Sequence, residues 1–237
     1  PLLAFNREQE NLGIGQYTHG CCGVPETALS LPAAVAEDTE ITLSHSAPGV
    51  VSAPGDSVTI PAGSSSVLVR VIGAAEGVDI ITATGPDGSG YASDTLTVSV
   101  GEGSFWLYQW PDTTVRVGEV VSAGRLVLNG NVRLAEATTF SLSAPSNFVF
   151  VDGAGQPVSS VTVPVCERPC DSSTRGNWSE SLSIKGVAAG SGSAVISAPN
   201  YVSVTSNAVV VTEPQISFNR EEENIGIGQY THGCCGV

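Results

Sequence analysis

Six cysteines carry the most reactive side chains of this 237-residue chain: Cys21-Cys22, Cys166, Cys170 and Cys234-Cys235. His19 and His232 each stand two residues before an adjacent pair. Thiolates bind soft metals, act as nucleophiles or close disulfides. The HGCC stretch offers His19, Cys21 and Cys22 to copper, zinc or iron. It brings no clear fourth ligand, which a closed site of this kind needs. No CxxCH haem-attachment signature occurs, and HGCCG resembles no nucleophile elbow. His45 falls on a segment that reads as a strand (41–45) and aligns with Leu142, so it reads as a structural position. No Ser/His/Asp set has motif support, and no enzyme is expected. Disulfides are the expected chemistry, formed in an oxidising, extracellular setting.

The cysteines sit in a repeated frame. FNREQENLGIGQYTHGCCGV fills 5–24 and FNREEENIGIGQYTHGCCGV fills 218–237, differing only at Gln9/Glu222 and Leu12/Ile225. Pro1 and Pro214 match at the same offset of 213. Copying this close reads as a tandem array with a period of 213, residues 214–237 opening the next repeat. Cysteines then number four per repeat, an even count, and four allow three pairings. A second, more diverged repeat lies inside the first. LSLPAAVAEDTEITLSHSAP (29–48) sets against LVLNGNVRLAEATTFSLSAP (126–145), SVTIP (57–61) against SVTVP (160–164), and VRVIGAAEGVDIITAT (69–84) against LSIKGVAAGSGSAVIS (182–197). The offsets are 97, 103 and 113, so insertions fall between Gly15 and Leu29 and between Pro164 and Leu182. All four cysteines of the repeat lie in these insertions, and Cys234 and Cys235 belong to the second motif copy. Each repeat thus divides into 1–101, with the HGCCG insertion, and 102–213, with the CERPC insertion.

Strands must hold these insertions. SVLVRVI (66–72), DTLTVSV (94–100), TTFSLSA (138–144) and AVVVT (208–212) alternate apolar and polar residues with period two. Such strands bury one face and wet the other. PAGSS (61–65), GPDGSG (85–90) and VDGAGQP (151–157) are turn signals between them. Many short strands with regular turns predict an all-β fold of sandwich type.

The details resemble the bacterial immunoglobulin-like domains repeated in large extracellular surface and fibre proteins. The resemblance rests on the Ile14-Gly15 and Val117-Gly118 steps, SAPGVVS (46–52), SVTIPAGSSS (57–66) and the hairpin over 73–84, and it covers nearly the whole chain. It implies two tandem sandwiches per repeat plus the first strands of a following one. It implies further that the loop before the second strand places Cys21 and Cys22 at the trailing end of the first sandwich. The loop before the fifth strand would place Cys166 and Cys170 at the leading end of the second, facing the same joint. Bonds across that joint account for two of the three pairings. A local set, Cys21–Cys22 with Cys166–Cys170, is the third, and adjacent cysteines are poorly placed to bond each other; bonds to a neighbouring chain are a further alternative. Cys234 and Cys235 would serve the next repeat.

Composition narrows the function. The formal charge of −14, with one lysine, Lys185, disfavours nucleic acid and anionic membranes as partners. No apolar run of about 18 residues is present to span a bilayer. NREQEN (6–11), AEDTE (36–40), GPDGSG and VDGAGQP hold loop oxygens, but none completes a calcium-loop pattern. Calcium is the only cofactor those acids suggest, and none is expected. Asn177-Trp178-Ser179 is a glycosylation sequon. Trp106 and Trp110 in FWLYQWP (105–111) read as packed rather than sugar-binding. The expected role is a repeat unit of an extracellular filament or stalk whose partner is itself. The contacts to the neighbouring repeat fall at Phe218, Asn219, Arg220, Ile225, Ile227 and Tyr230. An adhesin module for a glycan or cell surface is the alternative.

Overall fold

The computed structural model describes residues 2–18, 26–112, 114–128, 132–165 and 179–215. Among them there is no helix. The N-terminal half contributes β1 (Ala4–Phe5), β2 (Gln9–Gly13), β3 (Gln16–Thr18), β4 (Ala28–Ser30), β5 (Thr39–His45), β6 (Val51–Ala53), β7 (Ser57–Ile60), β8 (Ser66–Leu68), β9 (Ile72–Gly73), β10 (Gly77–Thr84) and β11 (Asp94–Gly101). The C-terminal half contributes β12 (Phe105–Tyr108), β13 (Val115–Arg116), β14 (Val120–Leu128), β15 (Val132–Leu134), β16 (Thr138–Ser143), β17 (Phe148–Val151), β18 (Ser160–Val163), β19 (Ser179–Gly186), β20 (Gly190–Gly192), β21 (Val195–Ser197), β22 (Val204–Thr205) and β23 (Val209–Thr212).

The alternation seen in the sequence is the alternation of the sheets. Leu96, Val98 and Val100 of β11 are buried while their neighbours are not, and so are Phe140 and Leu142 of β16 and Val209 and Val211 of β23. Each such aliphatic or aromatic side chain contributes about 1.5–3 kcal/mol on full burial. In the N-terminal half one sheet runs β2-β11-β10-β5-β7, with β2 parallel to β11. Facing strands are β1-β4-β8 and β3-β9-β6. In the C-terminal half β12-β14-β19-β17 faces β18-β16-β21-β22, and β13-β23-β20 completes the layers, with β13 parallel to β23. The inward side chains interdigitate. Phe140 meets Phe105 at 5.0 Å and Tyr201 at 5.2 Å between ring centroids, both edge-on, the geometry favoured by ring quadrupoles.

Strand registers refine the internal alignment. Thr39 pairs with Ile60 and Thr138 with Val163, while Leu43 pairs with Ala83 and Leu142 with Ile196. Leu142 therefore stands for Leu43, not for His45. The loop before this strand differs by two residues between the halves, and a gapless alignment hides that difference.

One sheet takes strands from both halves. β15, from the C-terminal half, pairs antiparallel with β3, giving the order β15-β3-β9-β6.

Candidate functional site: the assembly surfaces

The first copy of the repeated motif is built into its half by its own side chains. Phe5 is buried, and its N–H donates to Asp94 Oδ2 at 2.7 Å. Asn6 makes two bonds to the chain at 26–28, Nδ2 to Glu26 O at 2.7 Å and Oδ1 from Ala28 N at 3.0 Å. Leu12 is buried opposite Val100. Glu10 is buried beneath the sheet, accepts a bond from the Thr27 hydroxyl and lies 3.5 Å from the Arg7 guanidinium. Burial pushes its carboxyl above the usual range, and Thr27 and Arg7 offset only part of that. The side chains of Asn6 and Glu10, the Phe5 N–H and the buried Leu12 thus fix the motif against residues 26–101.

The motif ends in a turn that forms the seam between the halves. Gly15, at φ 74°, lets the chain reverse between β2 and β3, a conformation that favours glycine. Gln16 is buried and spans the seam. Its Oε1 accepts from Gly13 N at 2.9 Å, and its Nε2 donates to the Tyr201 hydroxyl at 2.9 Å. Gly15 O accepts from Ala135 N at 2.8 Å, and β15 continues the contact with Val132, Arg133 and Leu134 opposite Thr18, Tyr17 and Gln16. The linker is fixed as well. Gly103 N donates to Asn200 O at 2.7 Å and Val202 N to Gly103 O at 3.0 Å. A Cβ on Gly103 would fall 2.5 Å from the Tyr201 ring, so only glycine admits this packing. Arg133 is buried in the seam, and the Arg70 guanidinium lies 4.6 Å from the centre of the Tyr17 ring, within cation–π range. Burial pushes the Tyr201 hydroxyl above its ordinary pKa, with the Gln16 bond acting against this, so it remains a neutral donor and acceptor.

The sequence marks His45 as a structural position, and the structure gives it a partner. His45 Nδ1 lies 2.6 Å from Asp79 Oδ2. Asp79 is fully buried and also accepts from Ala47 N at 2.9 Å and the Ser46 hydroxyl at 3.2 Å. Burial pushes its carboxyl up, but the contacts from His45, Ala47 and Ser46 together outweigh that and hold it below the usual range. The Ser46 oxygen also accepts from Ile80 N at 2.8 Å, so this serine serves the backbone and the carboxylate. The cluster ties the loop after β5 to β10. No alignment signal marks it, because Asp79 falls opposite Gly192 in the sister half, where no carboxylate is present.

The cysteines, His19, Asn177 and the second-copy residues Phe218, Asn219, Arg220, Ile225, Ile227 and Tyr230 lie outside the described residues. Their flanks are described. The turn before β3 is Ile14–Gly15, so the segment 19–25 follows the first three residues of its strand instead of preceding it. It leaves beside Val132, the cross-strand partner of Thr18. The corresponding place in β14 is a bulge between Ser122 and Arg125. The second segment leaves after β18, whose Val163 pairs with Thr138, and returns at Ser179 opposite Val127. No group of three or more metal-ligating side chains occurs among the described residues. Trp110 is packed as expected, 6.2 Å from Phe150 with its indole N–H on Asn207 O at 3.0 Å. Trp106 is not: it is 42% exposed, edge-on to Tyr108 at 5.3 Å.

No protein-family model and no curated protein matches the sequence. Solved structures that the chain matches include domains 4 and 5 of the S-layer protein SbsC, at 15% identity over 80% of this chain and 84% of that one, TM-score 0.30. The D00-D0 domain of Intimin is similar at 12% identity over 89% and 98%, TM-score 0.34. CBD12 from CALX1.2 is similar at 9% identity over 83% and 80%, TM-score 0.30.

Proposed function

We propose that the chain is a structural repeat unit of an extracellular filament or stalk. In this reading residues 1–101 and 102–213 are two immunoglobulin-like sandwiches, and 214–237 open the next repeat, in the same chain or in a neighbouring subunit. The observation that carries it is the shared sheet. Two modules on a free linker would bend, since contacts between tandem domains are usually small. Here β15 of one half completes a sheet of the other, and Gln16 and Tyr201 bond across the seam. Stiffness is what a stalk requires and what a ligand-binding module does not.

The pattern of differences between the motif copies supports the array. At the buried positions Leu3 and Leu12 the second copy has Ile216 and Ile225; at the exposed positions Leu2 and Gln9 it has Gln215 and Glu222. Selection of this form follows the burial of the first copy. The second copy therefore needs the same partners, and those of residues 26–101 are already occupied by the first. Disulfides among Cys21, Cys22, Cys166 and Cys170 would add covalent restraint, each on the order of 2–4 kcal/mol. The first segment leaves beside Val132 of the seam, and the second is flanked by Val163, paired with Thr138, and Ser179, paired with Val127. Electron microscopy of native material tests the reading: a uniform filament with a two-sandwich period supports it, and a thin stalk carrying this unit only in a distinct head removes it.

The half-exposed Trp106–Tyr108 pair favours a second reading, an adhesin module that stacks a sugar ring on edge strand β12. Titration with oligosaccharides, read by tryptophan fluorescence in the chain and in Trp106→Ala, separates the two.

A further inference from the structure

Glycine turns, registers and linker length of the first half repeat themselves in the second half, at a place where no strand is paired among the described residues. Arg116 N donates to Glu119 Oε2 at 2.8 Å, as Gly13 N does to Gln16 at 2.9 Å. Val117 N bonds Thr212 O at 2.9 Å, as Ile14 N bonds Gly101 O at 3.1 Å. Gly118 N bonds Gly186 O at 2.8 Å, as Gly15 N bonds Gly73 O at 2.8 Å, and the two glycines have φ of 86° and 74°. Val120 pairs with Lys185 as Tyr17 pairs with Ile72. The turn at 116–119 thus repeats three hydrogen bonds and the left-handed glycine of the seam turn.

What differs is the covering. β3 carries β15 on the edge away from β9, and Tyr17 is 7% exposed. β12 reaches β14 only from Arg125 to Leu128. On the edge away from β19, the stretch Val120–Ser122 therefore carries no strand among the described residues, and Val120 is 50% exposed. An open strand edge with an apolar side chain is a docking template.

The linker says what docks there. Phe105, the first core residue of the second half, comes four residues after Gly101 and pairs with Leu128. Leu128 stands for Leu31, next in line to the Ala4–Ser30 pair, so Phe105 stands for Leu3. Ile216, the second-copy counterpart of Leu3, comes four residues after Thr212, the counterpart of Gly101. Glu213 also matches Glu102. Equal turns and equal linkers deliver the following sandwich to the same place.

We propose that residues 116–122 are the docking surface for the next copy of residues 1–101, forming a second seam on the same turn and strand edge as the one between the halves. The proposal rests on the repeat reading above and adds the contact it uses. Two substitutions give this seam its own character. Glu119 offers a carboxylate oxygen where Gln16 offers an amide N–H, so the next copy must bring a donor. Tyr91, which stands in the place of Tyr201 just before the last strand, has one. Pro214 replaces Gly103, so neither the linker N–H bond to Asn200 nor the close packing of the linker on the Tyr201 ring, which needs glycine, has a counterpart here.

The test is a chain of two repeats, residues 1–213 followed by 1–237, compared with the 237-residue chain by amide hydrogen exchange. Amides of the first repeat between Gly118 and Ser122 that point away from β19 should exchange about tenfold slower in the longer chain. Val120→Asp in the first repeat should abolish that gain, while Glu119→Gln, which keeps the turn bond as Gln16 does, should preserve it. Equal exchange in the two chains, with the second repeat's motif fully protected, would overturn the docking surface and leave the repeat reading standing. A second motif that stays unprotected in the longer chain would overturn both.

Discussion

Replacing Gln16 by alanine should separate the halves energetically, and its size can be worked from the seam. The substitution removes two hydrogen bonds, from Gly13 N and to the Tyr201 hydroxyl, in a buried setting. Each is worth roughly 0.5–1.5 kcal/mol net, and a buried amide left without an acceptor costs about 1–3 kcal/mol. Gln16→Ala should therefore cost about 2–4 kcal/mol. Tyr201→Phe removes only the cross-seam bond and should cost about 1–2 kcal/mol, since the Gln16 amide loses its acceptor. Because the two variants delete one shared contact, the double variant should cost less than the sum by about 0.5–1.5 kcal/mol. Urea unfolding of the full chain measures the three values. Exchange of the Ala135 amide, which donates to Gly15 O across the seam, reports whether the loss is local. Additive costs with unchanged Ala135 protection would mean that Gln16 supports only its own turn, and that the halves are held together by something else.

Acid should attack the Asp79 cluster. Its carboxyl is held below the ordinary aspartate value of 3.8, so its stabilisation is complete above that pH and is lost as pH falls through the folded-state pKa; Asp79→Asn should flatten the acid limb of a stability-versus-pH curve below pH 3.8. Glu10 behaves in the opposite sense. Its pKa is raised above 4.5, so folding favours the protonated form, and Glu10→Gln, which still accepts from Thr27, should raise stability at pH 7 and remove the gain the wild type shows on acidification towards pH 4.5. Gly124→Ala should destabilise by at least about 1–3 kcal/mol in thermal unfolding, because Gly124 sits at φ 75° and its Cβ would fall 2.0 Å from Tyr108 O. Non-reducing peptide mapping should yield a peptide joining Cys21 or Cys22 to Cys166 or Cys170; only Cys21–Cys22 and Cys166–Cys170 peptides would refute the cross-seam bonds.

Much of this molecule is written locally. Period-two alternation in 94–100 and 138–144 states which side chains go inside, because successive residues of a strand point to opposite faces. Turn residues state where strands stop, and the offsets of 97, 103 and 113 locate the two cysteine segments. Alternation is silent about partners, however: a strand's face is a property of its own residues, while its neighbour is chosen by the whole chain. VRL at 132–134 is three residues long, with a buried arginine at its centre, and nothing in its pattern announces that it completes a sheet of the other half. His45 and Asp79, 34 residues apart, become a pair only when β5 and β10 come into register. The two-residue difference before β5 and β16 was likewise hidden, since matching SAP triplets absorbed it in a gapless alignment. Sequence determined the faces, the turns and the two copies of the motif. Tertiary structure decided which edges meet, because edge pairing is set by backbone groups that every residue shares.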